Sequence, residues 1–149
     1  MEGDSPMFNR RMKKQGLLIG DRVPEIEELK LTQLPSNKFY AVILISLHCM
    51  RCIEFIPCLS DLKVECDNIE ILLMSTGSNK ENEELAKYYS WEFPIVHMNE
   101  ENMQLYFNVA TPPFALIVNS QGLVMAKGEV FSKKDFKNVI NSIGNYVSR

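Results

Sequence analysis

Two cysteines in this sequence, Cys49 and Cys52, have the spacing of a dithiol that opens and closes as a disulfide. A Cys-x-x-Cys pair at the start of a helix lies one turn apart, which is close enough for a disulfide bond. The first thiol of such a pair faces unpaired backbone N–H groups and the positive end of the helix macrodipole, so its thiolate is stabilised. We therefore predict that Cys49 is the exposed nucleophile and that the more enclosed Cys52 is the resolving thiol.

Two basic side chains lie next to this pair in the sequence. Arg51 carries a fixed positive charge between the two cysteines, and His48 adds a second charge when it is protonated. Both charges would favour the thiolate over the thiol. An ordinary exposed loop histidine is an equally good interpretation of His48.

The elements around the dithiol are a strand before it and a helix after it. The continuous apolar run from Phe39 to Leu47 is typical of a central strand that is buried on both faces. After Cys52 the pattern becomes helical, and Pro57 breaks it. The order is strand, dithiol, helix.

This stretch resembles the thioredoxin-like thiol-disulfide oxidoreductases. In that family a helix-kinking proline follows the second cysteine by five residues, as Pro57 follows Cys52 here. A cis-proline faces the dithiol from a later Tyr-x-x-Val-x-x-x-Pro segment, which matches Tyr106 to Pro113. The count from Val109 identifies Pro113 as the cis residue, and Pro112 is the alternative. The resemblance implies a substrate groove formed by Met50, Thr111, Pro112 and Pro113.

The sequence departs from the family pattern in the residues that would assist the dithiol. Pro112 has no N–H group to donate to a bound peptide. The buried acid that thioredoxins carry six residues before the first cysteine is replaced by Ile43, and Phe55 stands where some envelope reductases have a Glu. Glu54 faces another direction and is interpreted as a surface residue. The sequence therefore offers no evident proton acceptor for Cys52.

The remaining elements complete an α/β domain. A second apolar strand covers Ile69–Ser75, and a Ser78-Asn79-Lys80-Glu81 capping box begins a helix that runs to about Trp91. The other predicted elements are a strand at Phe93–Met98, a helix at Asn99–Phe107, a hairpin of Phe114–Val118 with Leu123–Lys127 around a four-residue loop, and a last helix capped in the same way from Ser132. We predict a thioredoxin fold with a central mixed sheet flanked by helices, an N-terminal extension and an inserted strand-helix unit between the second and third core strands.

The first residues of the chain have a different character from the rest. Residues 1–16 are polar and basic, without an apolar run of signal or membrane-spanning length, whereas residues 17–149 are predicted to form the thioredoxin-like domain. Within that domain a peripheral hairpin strand is expected at Glu27–Leu34 and a turn at Pro35–Asn37. Envelope members of the family carry an anchor before such a basic segment, so we expect a membrane-associated, extracytoplasmic protein whose anchor was removed. A frayed basic tail and a cytoplasmic location are the alternatives.

The resemblance implies exchange of a disulfide with a client protein or peptide through a mixed disulfide on Cys49. The expected partners are a disulfide-bearing client and an upstream redox protein, with the Cys49–Cys52 disulfide as the redox group and no other cofactor or metal. We expect a monomer. A net charge of −3 argues against nucleic acid as a partner.

Other functions on the same fold remain open. A peroxiredoxin would use Ser46 to Cys49 as its peroxidatic element, but that motif needs a proline at the position of Val42. A copper metallochaperone would pair the cysteines with His97, and a binding module would need neither thiol. Four zinc ligands from Cys49, Cys52, Cys58 and Cys66 are disfavoured because the last two lie along one helix. Cys58 and Cys66 are predicted to behave as small apolar residues.

Overall fold

A computed structural model describes residues 15–25 and 38–143 of the chain. In these residues a five-stranded mixed sheet has the strand order β3-β2-β1-β4-β5. The first three strands run parallel, whereas β4 is antiparallel to β1 and β5 is antiparallel to β4. The strands are β1 (Phe39–Ile45), β2 (Ile69–Ser75), β3 (Ile95–His97), β4 (Phe114–Val118) and β5 (Val124–Glu129).

Five helices connect and cover these strands. They are α1 (Met50–Phe55), α2 (Cys58–Glu65), α3 (Asn79–Tyr89), α4 (Glu100–Phe107) and α5 (Lys133–Asn141). The break between α1 and α2 falls at Pro57, as predicted, because proline cannot donate to the helix ladder. The unit formed by β3 and α4 is the predicted insertion between the second and third core strands. No helix in these described parts of the chain is long and apolar enough to cross a membrane.

Strand β1 separates two hydrophobic clusters, which explains its uninterrupted apolar sequence. Ala41, Ile43 and Ile45 face a cluster that also contains side chains of α1, α2 and α5. Tyr40 and Val42 face the opposite cluster, to which α4 contributes. The prediction of a central strand buried on both faces is confirmed, and so is the mixed sheet between helical layers.

Several predicted element ends differ from the structure: β1 ends at Ile45, two residues before the predicted Leu47, and β5 is Val124–Glu129 instead of Leu123–Lys127. Two other differences have local reasons. The third helix ends at Tyr89 because Ser90 adopts a left-handed conformation with φ of 57°. Phe93 does not belong to the following strand; its ring packs at 5.0 Å from Trp91, which stacks on Tyr89. This aromatic stack is held further by the Trp91 Nε1–H, which donates to the Ser60 hydroxyl over 3.0 Å.

The caps of α3 and α5 are not identical, although the sequence suggested the same device. Ser78 and Glu81 form a reciprocal capping box at α3, as predicted. At α5 the Ser132 hydroxyl accepts from the Asp135 N–H, but the Asp135 carboxylate accepts from the Phe131 N–H instead of that of Ser132.

The hairpin loop spans residues 119–123, one residue more than predicted. The predicted strand at Glu27–Leu34 and turn at Pro35–Asn37 lie outside the described residues.

Candidate redox site

The two cysteines of the predicted dithiol lie where β1 leads into α1. Cys49 is the N-cap of α1, with φ of −115° and ψ of 120°, and its carbonyl accepts the first helical hydrogen bond from Ile53 N–H at 3.1 Å. Cys49 is half-buried, whereas Cys52 has no exposed surface. Cys49 packs against the hydrophobic cluster that contains Cys52, and it lies near enough to raise the pKa of the Cys52 thiol. The arrangement is that of an accessible sulfur in front of an enclosed one.

The environment of Cys52 holds this thiol in its protonated form. Burial is the largest cause, and it raises the pKa of Cys52 to about 12. Cys49 and the carboxylate of Glu100 raise the pKa further, while the Ser46 N–H, which donates to the Cys52 sulfur over 3.3 Å, acts in the opposite direction. Cys52 is therefore a protonated thiol at neutral pH.

The loop before β4 brings the second predicted motif to the dithiol. The peptide bond between Pro112 and Pro113 is cis, as the count from Val109 predicts. The Cys49 thiol donates to the carbonyl oxygen of Pro112 over 3.6 Å. Thr111 is exposed on the same loop, Pro113 is buried, and Met50 presents 70% of its surface to solvent beside Cys49. The structure thus brings the proline loop to Cys49, with Met50 exposed next to it in the chain.

Gln15 fixes the proline loop from the other end of the chain. Its side-chain oxygen accepts from the N–H groups of Ala110 and Thr111 at 2.8 and 2.6 Å and from the Thr111 hydroxyl at 2.9 Å. Gly16 adds a backbone hydrogen bond of 2.8 Å to the Asn108 carbonyl. Both residues fall within the predicted N-terminal segment 1–16, and no sequence signal links them to residues more than 90 positions away.

The two basic residues beside the dithiol point in different directions. The Arg51 guanidinium lies 4.5 Å from the centroid of the Phe131 ring, in a cation–π contact. The His48 ring is 82% exposed, and its Nδ1 atom lies 3.9 Å from the Glu100 carboxylate. That Arg51 and His48 stabilise a thiolate stays a prediction.

Glu100 is a residue of this site that the sequence interpretation missed. Its carboxylate accepts a short hydrogen bond from the Ser46 hydroxyl, whose oxygen in turn accepts from the His48 N–H at 3.2 Å. Glu100 is the first residue of α4, directly after β3. Because β1 and β3 run parallel, the residues that follow them lie at the same end of the sheet, where the carboxyl ends of both strands are. The predicted order of strands and helices could therefore have indicated that Glu100 lies near the dithiol.

The other cysteines and the second histidine lie apart from this arrangement. Cys58 is half-buried at the start of α2, and Cys66 is buried after its end, where burial raises the pKa of its thiol. The His97 Nδ1 atom lies 2.8 Å from the Gly77 carbonyl oxygen. Over residues 15–25 and 38–143, no three His, Cys, Asp or Glu side chains are grouped closely enough to hold a metal ion.

The strand order, the Cys-x-x-Cys pair at the N-terminus of α1 and the facing cis-proline are those of a thioredoxin fold, and the predicted fold is confirmed. The sequence matches no protein-family model and no curated protein.

Comparison with solved structures supports this fold. One similar structure is a candidate thiol:disulfide interchange protein DsbE from Chlorobium tepidum, with a TM-score of 0.67 and 14% identity over 85% of this chain and 98% of that one. Another is the thioredoxin domain of a thiol-disulfide oxidoreductase from Bacteroides vulgatus, with a TM-score of 0.63 and 17% identity over 86% and 99% of the two chains. A secreted disulfide oxidoreductase from Mycobacterium tuberculosis, homologous to DsbE of E. coli, gives a TM-score of 0.57 and 13% identity over 70% and 81%.

Proposed function

We propose that this chain is a thiol-disulfide oxidoreductase that exchanges the Cys49–Cys52 disulfide with a client protein or peptide. The observation that carries the proposal is the position of Cys49, a partly accessible thiol at a helix N-terminus that lies near Cys52 and donates to the Pro112 carbonyl. Similar solved structures are described as thiol-disulfide interchange proteins, which supports the same activity.

The proposed reaction has two exchange steps. The Cys49 thiolate attacks one sulfur of the client disulfide, and the other client sulfur leaves as a thiolate. The Cys52 sulfur then attacks Cys49 in the mixed disulfide, and the first client sulfur leaves in its turn. The client gains two electrons, and the protein gains the Cys49–Cys52 disulfide. An upstream redox protein restores the dithiol, and the reverse sequence oxidises a client.

The surface beside Cys49 suits an extended client segment. Met50, next to Cys49 in the chain, and Thr111, next to Pro112, offer exposed apolar and polar side chains. The Pro112 carbonyl can accept a hydrogen bond there, whereas Pro112 has no N–H to donate. A client backbone would therefore donate a hydrogen bond to Pro112 but receive none from it, and side-chain contacts would complete the binding. We also propose a monomer that works outside the cytoplasm, since one similar protein is described as secreted.

A redox titration tests the proposal directly. The protein is equilibrated in glutathione or dithiothreitol buffers and quenched in acid, and its free thiols are alkylated after unfolding in denaturant. Mass spectrometry then reports which cysteines pair at each potential. We expect one two-electron couple between Cys49 and Cys52, with Cys58 and Cys66 alkylated throughout. A potential near ~−270 mV would indicate a reductase and one near ~−120 mV a disulfide donor. Failure of Cys49 and Cys52 to pair at any potential would refute the assignment.

Single-cysteine variants test the order of attack. Cys52→Ser should accumulate a mixed disulfide on Cys49 with a disulfide substrate such as oxidised glutathione, because the resolving thiol is missing. The matched variant Cys49→Ser should form little adduct, because Cys52 has no exposed surface. Equal adduct formation on the two variants would contradict the assigned roles.

A further inference from the structure

Two residues near the start of the described chain hold the proline loop, which connects α4 to β4, at two points. The Gly16 N–H donates to the Asn108 carbonyl over 2.8 Å, and the Asn108 side chain donates back to the Gly16 carbonyl over 3.3 Å. The Gln15 side-chain oxygen accepts from two consecutive backbone N–H groups, those of Ala110 and Thr111. With the contacts to the Thr111 hydroxyl and carbonyl, the Gln15 side chain makes four hydrogen bonds to the loop.

The backbone next to Gln15 is fitted closely to the same loop. Gly16 is buried and has a φ of 92°, in the left-handed region that favours glycine. A β-carbon at this position would lie 2.6 Å from the Cε2 atom of Phe114, the first residue of β4. Glycine therefore lets the backbone come close to β4, directly beside the residue that binds Thr111.

The hydrogen bonds to Gln15 occupy the remaining backbone donors of the loop. Pro112 and Pro113 have no N–H, and the N–H groups of the two residues before them both donate to Gln15. None of these four residues, all of which the structure describes, keeps a backbone N–H for a client. What the loop offers beside the nucleophile is the Pro112 carbonyl, to which the Cys49 thiol donates over 3.6 Å. Thr111, which Gln15 binds, directly precedes this acceptor.

We propose that Gln15 is a positioning residue for client exchange, because it holds the proline loop where the Pro112 carbonyl can accept from a client N–H during attack by Cys49. This inference rests on the proposed oxidoreductase function. Gln15 acts through Thr111 and touches neither the client nor the thiol. Once Cys49 reacts as a thiolate it no longer donates to Pro112, so the carbonyl is free for the client backbone. A peptide disulfide gains this contact, whereas a small disulfide without a peptide backbone does not.

Two probes with the same leaving group separate this role from a general effect on Cys49. One is Ellman's reagent, DTNB, which has no peptide backbone. The other is a blocked Ala-Ala-Cys-Ala-Ala peptide with thionitrobenzoate joined to its cysteine sulfur in a mixed disulfide. In the first phase with either probe, the Cys49 thiolate forms a new S–S bond and thionitrobenzoate leaves as a thiolate. Stopped-flow absorbance gives both second-order rate constants, and the quantity compared is the peptide value divided by the DTNB value.

All proteins in this experiment carry Cys58→Ser and Cys66→Ala, so that no competing thiol reacts. Gln15→Ala removes the four hydrogen bonds to the loop, whereas Gln15→Glu keeps an oxygen that accepts from both N–H groups. Gln121→Ala is the matched control. Gln121 is exposed in the hairpin loop at the other end of β4, and alanine keeps the hydrogen bonds of its backbone.

We expect Gln15→Ala to lower the ratio about three- to tenfold, which corresponds to the loss of roughly one net hydrogen bond. Gln15→Glu and Gln121→Ala should stay within about twofold of the parent. An unchanged ratio in Gln15→Ala overturns the proposal, even if both rate constants fall together. A higher ratio also overturns it, because Gln15 would then block the client site, and so does a Gln15→Glu variant as impaired as Gln15→Ala. Failure of the oxidoreductase function is distinct, since the parent would then release thionitrobenzoate no faster than Cys49→Ser.

Discussion

The buried thiol of Cys52 should make the reduced protein lose stability in alkaline solution. The pKa of this thiol rises from an ordinary 9.0 to about 12 in the folded chain, chiefly through burial. Between these two values the unfolded chain has released the proton and the folded chain still holds it. Because the unfolded state then binds fewer protons, the free energy of unfolding falls by ~1.4 kcal/mol per pH unit. Below pH 8 the contribution is constant.

The perturbation that isolates this effect is Cys52→Ala. From pH 8 to pH 10 the thiol should cost the parent protein about 1.4 kcal/mol of unfolding free energy, and the variant should lack this loss. Other groups titrate in the same range, so the quantity of interest is the difference between the two proteins. Urea unfolding in the presence of a phosphine reductant, at one pH unit intervals from 6 to 10, measures it.

A second variant controls for the loss of buried side-chain volume in Cys52→Ala. Val42→Ala also removes buried apolar volume from the core but no titratable group. It should lower the unfolding free energy at every pH and keep the parent's pH dependence. If Cys52→Ala and the parent lose equal free energy between pH 8 and pH 10, the argument that burial keeps Cys52 protonated is refuted.

Three further predictions concern accessibility, capping and packing. Iodoacetamide at pH 7 should alkylate Cys49 in the reduced protein much faster than Cys52, as peptide mapping can show, because only Cys49 has exposed surface. Ser78→Ala should lower the free energy of unfolding by about 1 kcal/mol in urea titrations, since it removes the capping box of α3. Gly128→Ala should cost about 1–3 kcal/mol by the same measurement, because the added methyl group would lie 2.8 Å from a Val139 methyl carbon.

Each of these has a matched check. Rapid labelling of Cys52 in the folded protein would contradict its burial. Asn79→Ala, one position after the cap, should change stability far less than Ser78→Ala, and equal effects would contradict the capping argument. Val139→Ala should relieve part of the cost of Gly128→Ala in the double variant, and strictly additive effects would contradict the proposed clash.

The parts of the fold that could be predicted from the sequence are those determined by residues close together in the chain. The apolar run of β1, the break at Pro57 and the capping box of Ser78 each depend on neighbours within a few residues. These three features therefore needed no knowledge of the tertiary structure. The position of the cis bond at Pro113 was instead implied by the resemblance to the thioredoxin-like family, whose motif places it by the count from Val109.

The contacts that complete the site are long-range, and local patterns do not encode them. Gln15 meets Thr111 across 96 positions, and Ser46 meets Glu100 across 54. The chemistry of a glutamine or glutamate side chain is common on any surface, so residue type alone does not distinguish these two. The position of Glu100 near the dithiol could be predicted only because β1 and β3 are parallel, so that their carboxyl ends lie at the same end of the sheet.

The aromatic stack of Tyr89, Trp91 and Phe93 has a practical consequence. Trp91 is the only tryptophan of the chain, and it is 9% exposed, with its indole N–H donating to the hydroxyl of Ser60 in α2. Its emission therefore reports on one defined junction, where α2 meets the segment after α3. Separation of these elements would hydrate the indole and shift its emission to longer wavelength, so the protein carries its own optical probe of unfolding.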